Sequence, residues 1–105
     1  MHNASYANDL TGPRSAHILN RHRFGTGISG KTEFPAHWTD EMILEHVSDV
    51  ASDPLSVTGV GKWNSPYATG TRDGIDIRVD FYPNGHTTNR GKISTAYPLN
   101  TPMNP

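Results

Sequence analysis

The stretch Ile75-Asp76-Ile77-Arg78-Val79-Asp80-Phe81 alternates apolar and charged residues without a break, directly after Asp73-Gly74. Side chains alternate faces along a strand, so this run buries Ile75, Ile77, Val79 and Phe81 on one side and wets its charges on the other. Asp-Gly is the two-residue turn that feeds a hairpin, which makes residues 67–72 the partner strand. Pro83-Asn84-Gly85 turns the chain again, and residues 92–97 (KISTAY) supply a third strand before Pro98. On that strand Ile93, Thr95 and Tyr97 are expected to share one face, and Lys92, Ser94 and Ala96 the other. A sheet that is apolar on one face needs a cover, and the helical patterns of this chain all precede it.

The clearer helix begins at Thr39, a good N-cap, with Asp40 and Glu41 in the first turn where the helix dipole favours acids. Ile43, Val47, Val50 and Ala51 recur at helical spacing, and Ser52-Asp53-Pro54 stops the run. Phe34 and Trp38 are placed to pack at its entry. Earlier, Ser15 is a plausible N-cap for a short helix over residues 16–22. Residues 24–30 (FGTGISG) hold three glycines and read as a flexible loop. Gly30-Lys31-Thr32 superficially suggests a phosphate-binding loop, but the spacing and the preceding strand are wrong for one. Residues 55–66 read as irregular, with Trp63 a packing anchor more than a stacking platform. The fold class is therefore α+β: N-terminal helices packed on a C-terminal antiparallel β-meander. Residues 1–14 read as a linker or tail, 15–98 as the domain, and 99–105 as a C-terminal tail.

At 105 residues there is room for one core. Ten glycines, eight prolines and 33% hydrophobic residues make that core small and the loops long. The absence of cysteine removes disulfides, thiolate metal sites and a cysteine nucleophile. No run approaches ~18 consecutive apolar residues, so no membrane-spanning segment is expected, and no secretory signal is legible at the N-terminus.

The densest chemistry lies in His17-Ile18-Leu19-Asn20-Arg21-His22-Arg23. Two imidazoles and two guanidiniums stand within seven residues. His17 and His22 are five apart, so on a helix their side chains diverge by roughly 140°. A helical two-histidine metal site wants i and i+4, and no carboxylate or thiol nearby completes a ligand set. The pair can still converge on one substrate if the chain bends after Arg21. An ordinary surface imidazole is the competing reading for each. Charge is polarised around this stretch. Arg14, Arg21, Arg23 and Lys31 occur in a segment with no acid, whereas Asp40, Glu41, Glu45, Asp49 and Asp53 occur in one with no Lys or Arg. Net charge is only −1, so any anion site is local rather than a property of the whole surface.

The segments HILNRHRFGTGISGKTEFPAHWTDEMILEHVSDVASDP, GTRDGIDIRV and ISTAYP resemble the bacterial EndoU nuclease domains at the C-termini of polymorphic and contact-dependent toxins. The similarity covers residues 16–98, and its most specific parts are G-K-T-x-F-P-x-x-W and the acidic helix ending D-V-A-x-D-P. It implies a metal-independent, cofactor-free endoribonuclease with the barnase–EndoU–colicin–RelE type of fold. Such domains cleave RNA, often tRNA, by 2′-OH transesterification to a 2′,3′-cyclic phosphate. They use two histidines and a lysine, helped by Thr and Tyr on the last strand. The resemblance also implies a monomeric toxin, delivered from the cell surface or secreted as part of a larger protein. It would act in the cytoplasm of a target cell and be blocked in the producer by a cognate immunity protein.

Carried over residue by residue, His17 matches the first histidine, and Thr95 and Tyr97 match the terminal Thr-x-Tyr. His22 is the best candidate for the second histidine, although the usual spacing is longer. Arg72, before the Asp-Gly turn, is the expected catalytic cation, with Lys62 the alternative. Arg21, Arg23 and Lys62 are the expected substrate-binding cations. The short His-x4-His is also similar to RNase A-like toxin domains, which pair His with Arg, Thr and Tyr. The residue types suit the reaction. Imidazoles titrate near ~6.5 and serve as base and acid near neutrality, and a cation stabilises the extra charge on the phosphorane. A different class remains open at this stage, a non-catalytic module of immunity or adaptor type that binds through the acidic helix. Convergence of His17, His22, Thr95 and Tyr97 in one cleft would favour the nuclease, and scatter over the surface the module. A deaminase is disfavoured by the missing cysteines.

Overall fold

The Asp73-Gly74 turn and its flanking alternation are realised as expected. In the computed structural model, which describes residues 10–105, Asp73 and Gly74 both take positive φ (51° and 76°), as a two-residue hairpin turn of the primed type requires. They join strand β2 (Pro66–Arg72) to β3 (Ile75–Phe81). Strand β4 (Ile93–Pro98) adds to the far side of β3, and a short β1 (Val57–Val60) to the far side of β2. The sheet order is β1-β2-β3-β4, all antiparallel. Ile77, Val79, Ala68, Ala96 and Ile93 form its buried face.

Two helices precede the sheet: α1 (Gly12–His22) and α2 (Asp40–Ser52). The fold is α+β with the helices on the meander, as the sequence predicts. Thr39 caps α2, its hydroxyl accepting from Met42 N–H at 3.1 Å. Ile43, Val47 and Val50 are fully buried against β2 and β3. Phe34 and Trp38 stack on each other at 5.5 Å and join the same core. α1 lies along β4 and commits Ile18 to the core.

Four expectations need correction. First, α1 begins at Gly12, not at residue 16, and Thr11 is its cap position. Pro13 suits the first turn because its missing N–H would be unpaired there anyway, and Ser15 bonds Thr11 O from inside that turn. Thus part of the expected linker is helix, and Leu10 is buried; residues 1–9 of that linker lie outside the described residues. Second, the segment expected as irregular contains β1. Its valines are exposed and leave no alternation to read, and its Gly59 exists because a Cβ there would collide with the Tyr67 ring. Third, residues 99–105 are not a free tail. Met103 pairs with Thr32, Asn104 exchanges backbone bonds with Gly30 and Lys31 (2.9 and 2.8 Å), and Asn100 closes over the Asp73-Gly74 turn. Fourth, Ile93 does not share a face with Thr95 and Tyr97. The register shifts between Asp80 and Phe81, so that Asp80 pairs with Thr95 but Phe81 with Ile93. Ser94 is the extra residue, its hydroxyl donating to Asp80 O at 3.1 Å. A bulge re-aims the residues beyond it. Ile93 turns into the core while Thr95 and Tyr97 face out beside Asp80 and Arg78.

Candidate active site

α1 ends against the last strand, and the loop that follows it comes back across the same place. A cleft of about 440 Å³ lies between them, lined by His17, Arg21, His22, Lys31, Thr32, Thr95 and Tyr97, with Leu99 and Met103 at its C-terminal rim. His17 and His22 meet there without any bend after Arg21, because α1 continues through His22. The cleft is wide enough for one ring to line its wall and the other its floor.

His22 is the floor. It is 5% exposed, and its ring stacks on Tyr97 with centroids 5.6 Å apart. Its Nδ1 lies 2.7 Å from the Thr32 carbonyl oxygen. A carbonyl only accepts, so Nδ1 carries the proton and Nε2 holds the free lone pair. Thr32 is itself tied to the sheet, its hydroxyl donating to Pro98 O at 2.8 Å. Burial lowers the His22 pKa; the Thr32 bond opposes this, and Lys31 and Arg21 add to it. His17 is half-buried on the wall. Burial and then the charges of Arg14, Arg21, His22 and Lys31 bring its pKa down to about 4. Both imidazoles are therefore held neutral around pH 7 in a field of cations. Tyr97 is pushed the other way, up from its ordinary value, first by burial and then by Asp80, so its hydroxyl remains a donor.

The Gly-rich loop is not the flexible connector its composition suggests. Glu33 gathers it: its carboxylate accepts from Gly25 N–H, Gly27 N–H, Thr26 Oγ1 and Asn104 Nδ2 at 2.8–3.2 Å. These bonds, led by the one from Gly25, hold the Glu33 pKa down to about 2. Gly25 and Gly27 take positive φ (93° and 66°), which glycine adopts freely. Glu33 is tied to the Gly30-Lys31 backbone through Asn104, which bonds both.

Of the residues expected from sequence, His17, His22, Arg21, Thr95 and Tyr97 line this cleft. Arg72 does not. Its guanidinium is spent on α2, with Nε 2.7 Å from Asp49 and Nη2 2.9 Å from Asp53. The Asp49 bond leads the rise in its pKa. It locks helix to sheet and is not a cation of the cleft. Arg23 pairs with Asp40 at 2.8 Å, outside the cleft. Lys62 lines a neighbouring cavity that shares Tyr97. The cation of this cleft not expected from the sequence is Lys31. Its signal was present: it closes the acid-free basic segment and stands inside G-K-T-x-F-P, the most specific part of the resemblance. Among the described residues, no cluster of three or more His, Asp or Glu is placed to hold a metal ion, and no helix is long and apolar enough to cross a membrane.

An α+β domain with two neutral imidazoles, an ammonium and two hydroxyls around one cleft has the parts of a small acid–base nuclease. The family comparison agrees: the model of the bacterial EndoU nucleases matches residues 7–100, and the chain belongs to that family. No curated protein and no solved structure matches it.

Proposed function

We propose that this domain is a metal-independent endoribonuclease toxin that cleaves RNA by attack of a 2′-hydroxyl on the adjacent phosphodiester, leaving a 2′,3′-cyclic phosphate. The observation that carries this reading is the convergence of His17, His22, Lys31, Thr95 and Tyr97 on one cleft. His17 and His22 form the acid–base pair. One removes the 2′-OH proton and the other protonates the departing 5′-oxygen. His22 has the better-defined geometry, with its tautomer set by Thr32 and Nε2 free to exchange a proton. Lys31 takes the role first given to Arg72, neutralising charge on the phosphorane. Arg21 at the mouth attracts the phosphate. The Thr95 hydroxyl donates to a phosphate oxygen, and Tyr97 bonds or stacks on the substrate. An arriving phosphate also favours the protonated imidazole, because its negative charge offsets the cations that, after burial, lower the His17 pKa.

Membership of the family supports a toxin context as part of this reading. The domain would be delivered as part of a larger protein, act on RNA such as tRNA in a target-cell cytoplasm, and be neutralised by a cognate immunity protein. The decisive experiment is cleavage of mixed RNA in EDTA by wild type and by His17→Ala, with the product ends identified. Wild type should cleave in chelator and leave cyclic phosphate ends, and His17→Ala should lose at least about 100-fold. Activity that vanishes in EDTA, or survives in the variant, overturns the mechanism.

A further inference from the structure

The open face of the sheet continues past the cleft. A second cavity of about 600 Å³ adjoins it and shares Tyr97. Arg78, Asp80 and Ser94 form its floor, and the turn Lys62–Asn64 its rim. Trp63 in that turn is 86% exposed and takes φ 63°. Neighbouring Asn64 is also left-handed (φ 59°). A bulky residue in that region is uncommon, and such strain tends to collect at ligand clamps. Packing does not explain it: Trp63 is not the anchor its sequence context suggested, whereas Trp38 is buried. Lys62 beside it is exposed and makes no ion pair among the described residues. The floor is preorganised. Arg78 pairs with Asp80 at 2.9 Å and lies 4.1 Å over the Tyr67 ring. Gly61 leaves it room, since a Cβ there would come within 2.9 Å of Arg78 Nη2. An exposed indole serves the face of an unpaired base, and an adjacent unpaired ammonium serves a phosphate.

We propose that this cavity is a second nucleotide subsite. It takes the unpaired nucleotide next to the cleaved phosphodiester, with its base stacked on Trp63 and its phosphate against Lys62. The proposal rests on reading the first cleft as the site of RNA cleavage. It requires the substrate to be single-stranded for at least one nucleotide beyond the cut, because a base stacked within a duplex has no free face to offer.

Two measurements test it. The first is kcat/KM on a single-stranded RNA of mapped cleavage point, either intact or abasic at each flanking position, for wild type, Trp63→Ala and Trp63→Phe. Trp63→Ala should lose about tenfold on intact RNA, mainly in KM, and Trp63→Phe much less. One abasic position should reduce wild type by a similar factor and Trp63→Ala no further. The second is tryptophan fluorescence of His17→Ala titrated with the same RNA. It should be quenched, and the quench should disappear in His17→Ala/Trp63→Phe. Equal cleavage of intact RNA by wild type and Trp63→Ala, an abasic penalty that persists in Trp63→Ala at every position, or no quench at Trp63 overturns the subsite and leaves the patch to a protein partner. Quenching without cleavage by wild type supports the subsite while removing the nuclease reading.

Discussion

Two cations divide the residue-scale question between them. Lys31 stands in the cleft with both imidazoles, and Arg72 is held by Asp49 and Asp53. If Lys31 stabilises the phosphorane, Lys31→Ala should lower kcat by about 10²- to 10³-fold and leave the melting temperature within a few degrees of wild type. Arg72→Ala should do the reverse. It leaves two partly buried carboxylates facing each other without their cation, which costs about 1–2 kcal/mol of stability. That corresponds to roughly 4–16 °C in melting temperature for a domain of this size, with kcat near wild type at a temperature where the fold is intact. Steady-state cleavage and thermal melts of the two variants decide it, and inactive but fully stable Arg72→Ala would return Arg72 to the mechanism. His17, Thr95 and Tyr97 were legible from sequence because each stands in a local motif. That Lys31 and not Arg72 lines the cleft was not, because it depends on which arginines are already neutralised by carboxylates, and that follows from how α2 packs on β2.

At the scale of elements, the alternation of β3 and the apolar stripe of α2 were readable because burial imposes a period on their residues. β1 and the C-terminal segment follow no such rule. β1 is held by its ladder to β2 with its valines in solvent, and residues 99–105 are held by backbone and amide bonds to the other end of the chain. Neither leaves a hydrophobic pattern. The C-terminal segment nevertheless supports the site. Asn104 brackets Lys31 through the backbone and binds Glu33 and Ile28 O through its side chain (2.9 and 3.0 Å). Removing residues 102–105 should therefore free Gly30-Lys31-Thr32 and the Thr32 carbonyl that orients His22. Activity is expected to fall more than tenfold, as misplacement by about 1 Å can cost 10²-fold, with the far-ultraviolet spectrum unchanged. Asn104→Ala, which keeps the backbone bonds, should lose about 1 kcal/mol of stability and less activity. Full activity in the truncated chain would mean that the cleft holds its geometry without this strap.

The whole molecule carries a net charge of only −1, yet the cleft sets Arg21 and Lys31 beside two imidazoles, and Arg14 adds its charge near His17. Acid must therefore load the fold unevenly. His17 holds its proton only below about 4 in the folded state, against 6.5 unfolded, and His22 is shifted in the same direction. As pH falls through that window the unfolded chain binds more protons than the native one, so stability declines from about pH 6.5 downward. Glu33 adds a second stage. Its folded pKa of about 2 lies below the ordinary 4.5, so its contribution is complete above 4.5 and is lost as pH drops toward 2. Urea midpoints measured from pH 7.5 to pH 3 should thus fall in two stages. His17→Ala should flatten the first, leaving the part that belongs to His22. Glu33→Gln should be less stable at neutral pH, because its amide cannot accept from two loop N–H groups and Asn104 as a carboxylate does, and should lose the second stage. Wild type and His17→Ala running parallel between pH 6.5 and 4 would mean that neither burial nor the neighbouring cations press on His17. That would remove the electrostatic focus through which a nearly neutral domain can draw a phosphate to one place on its surface.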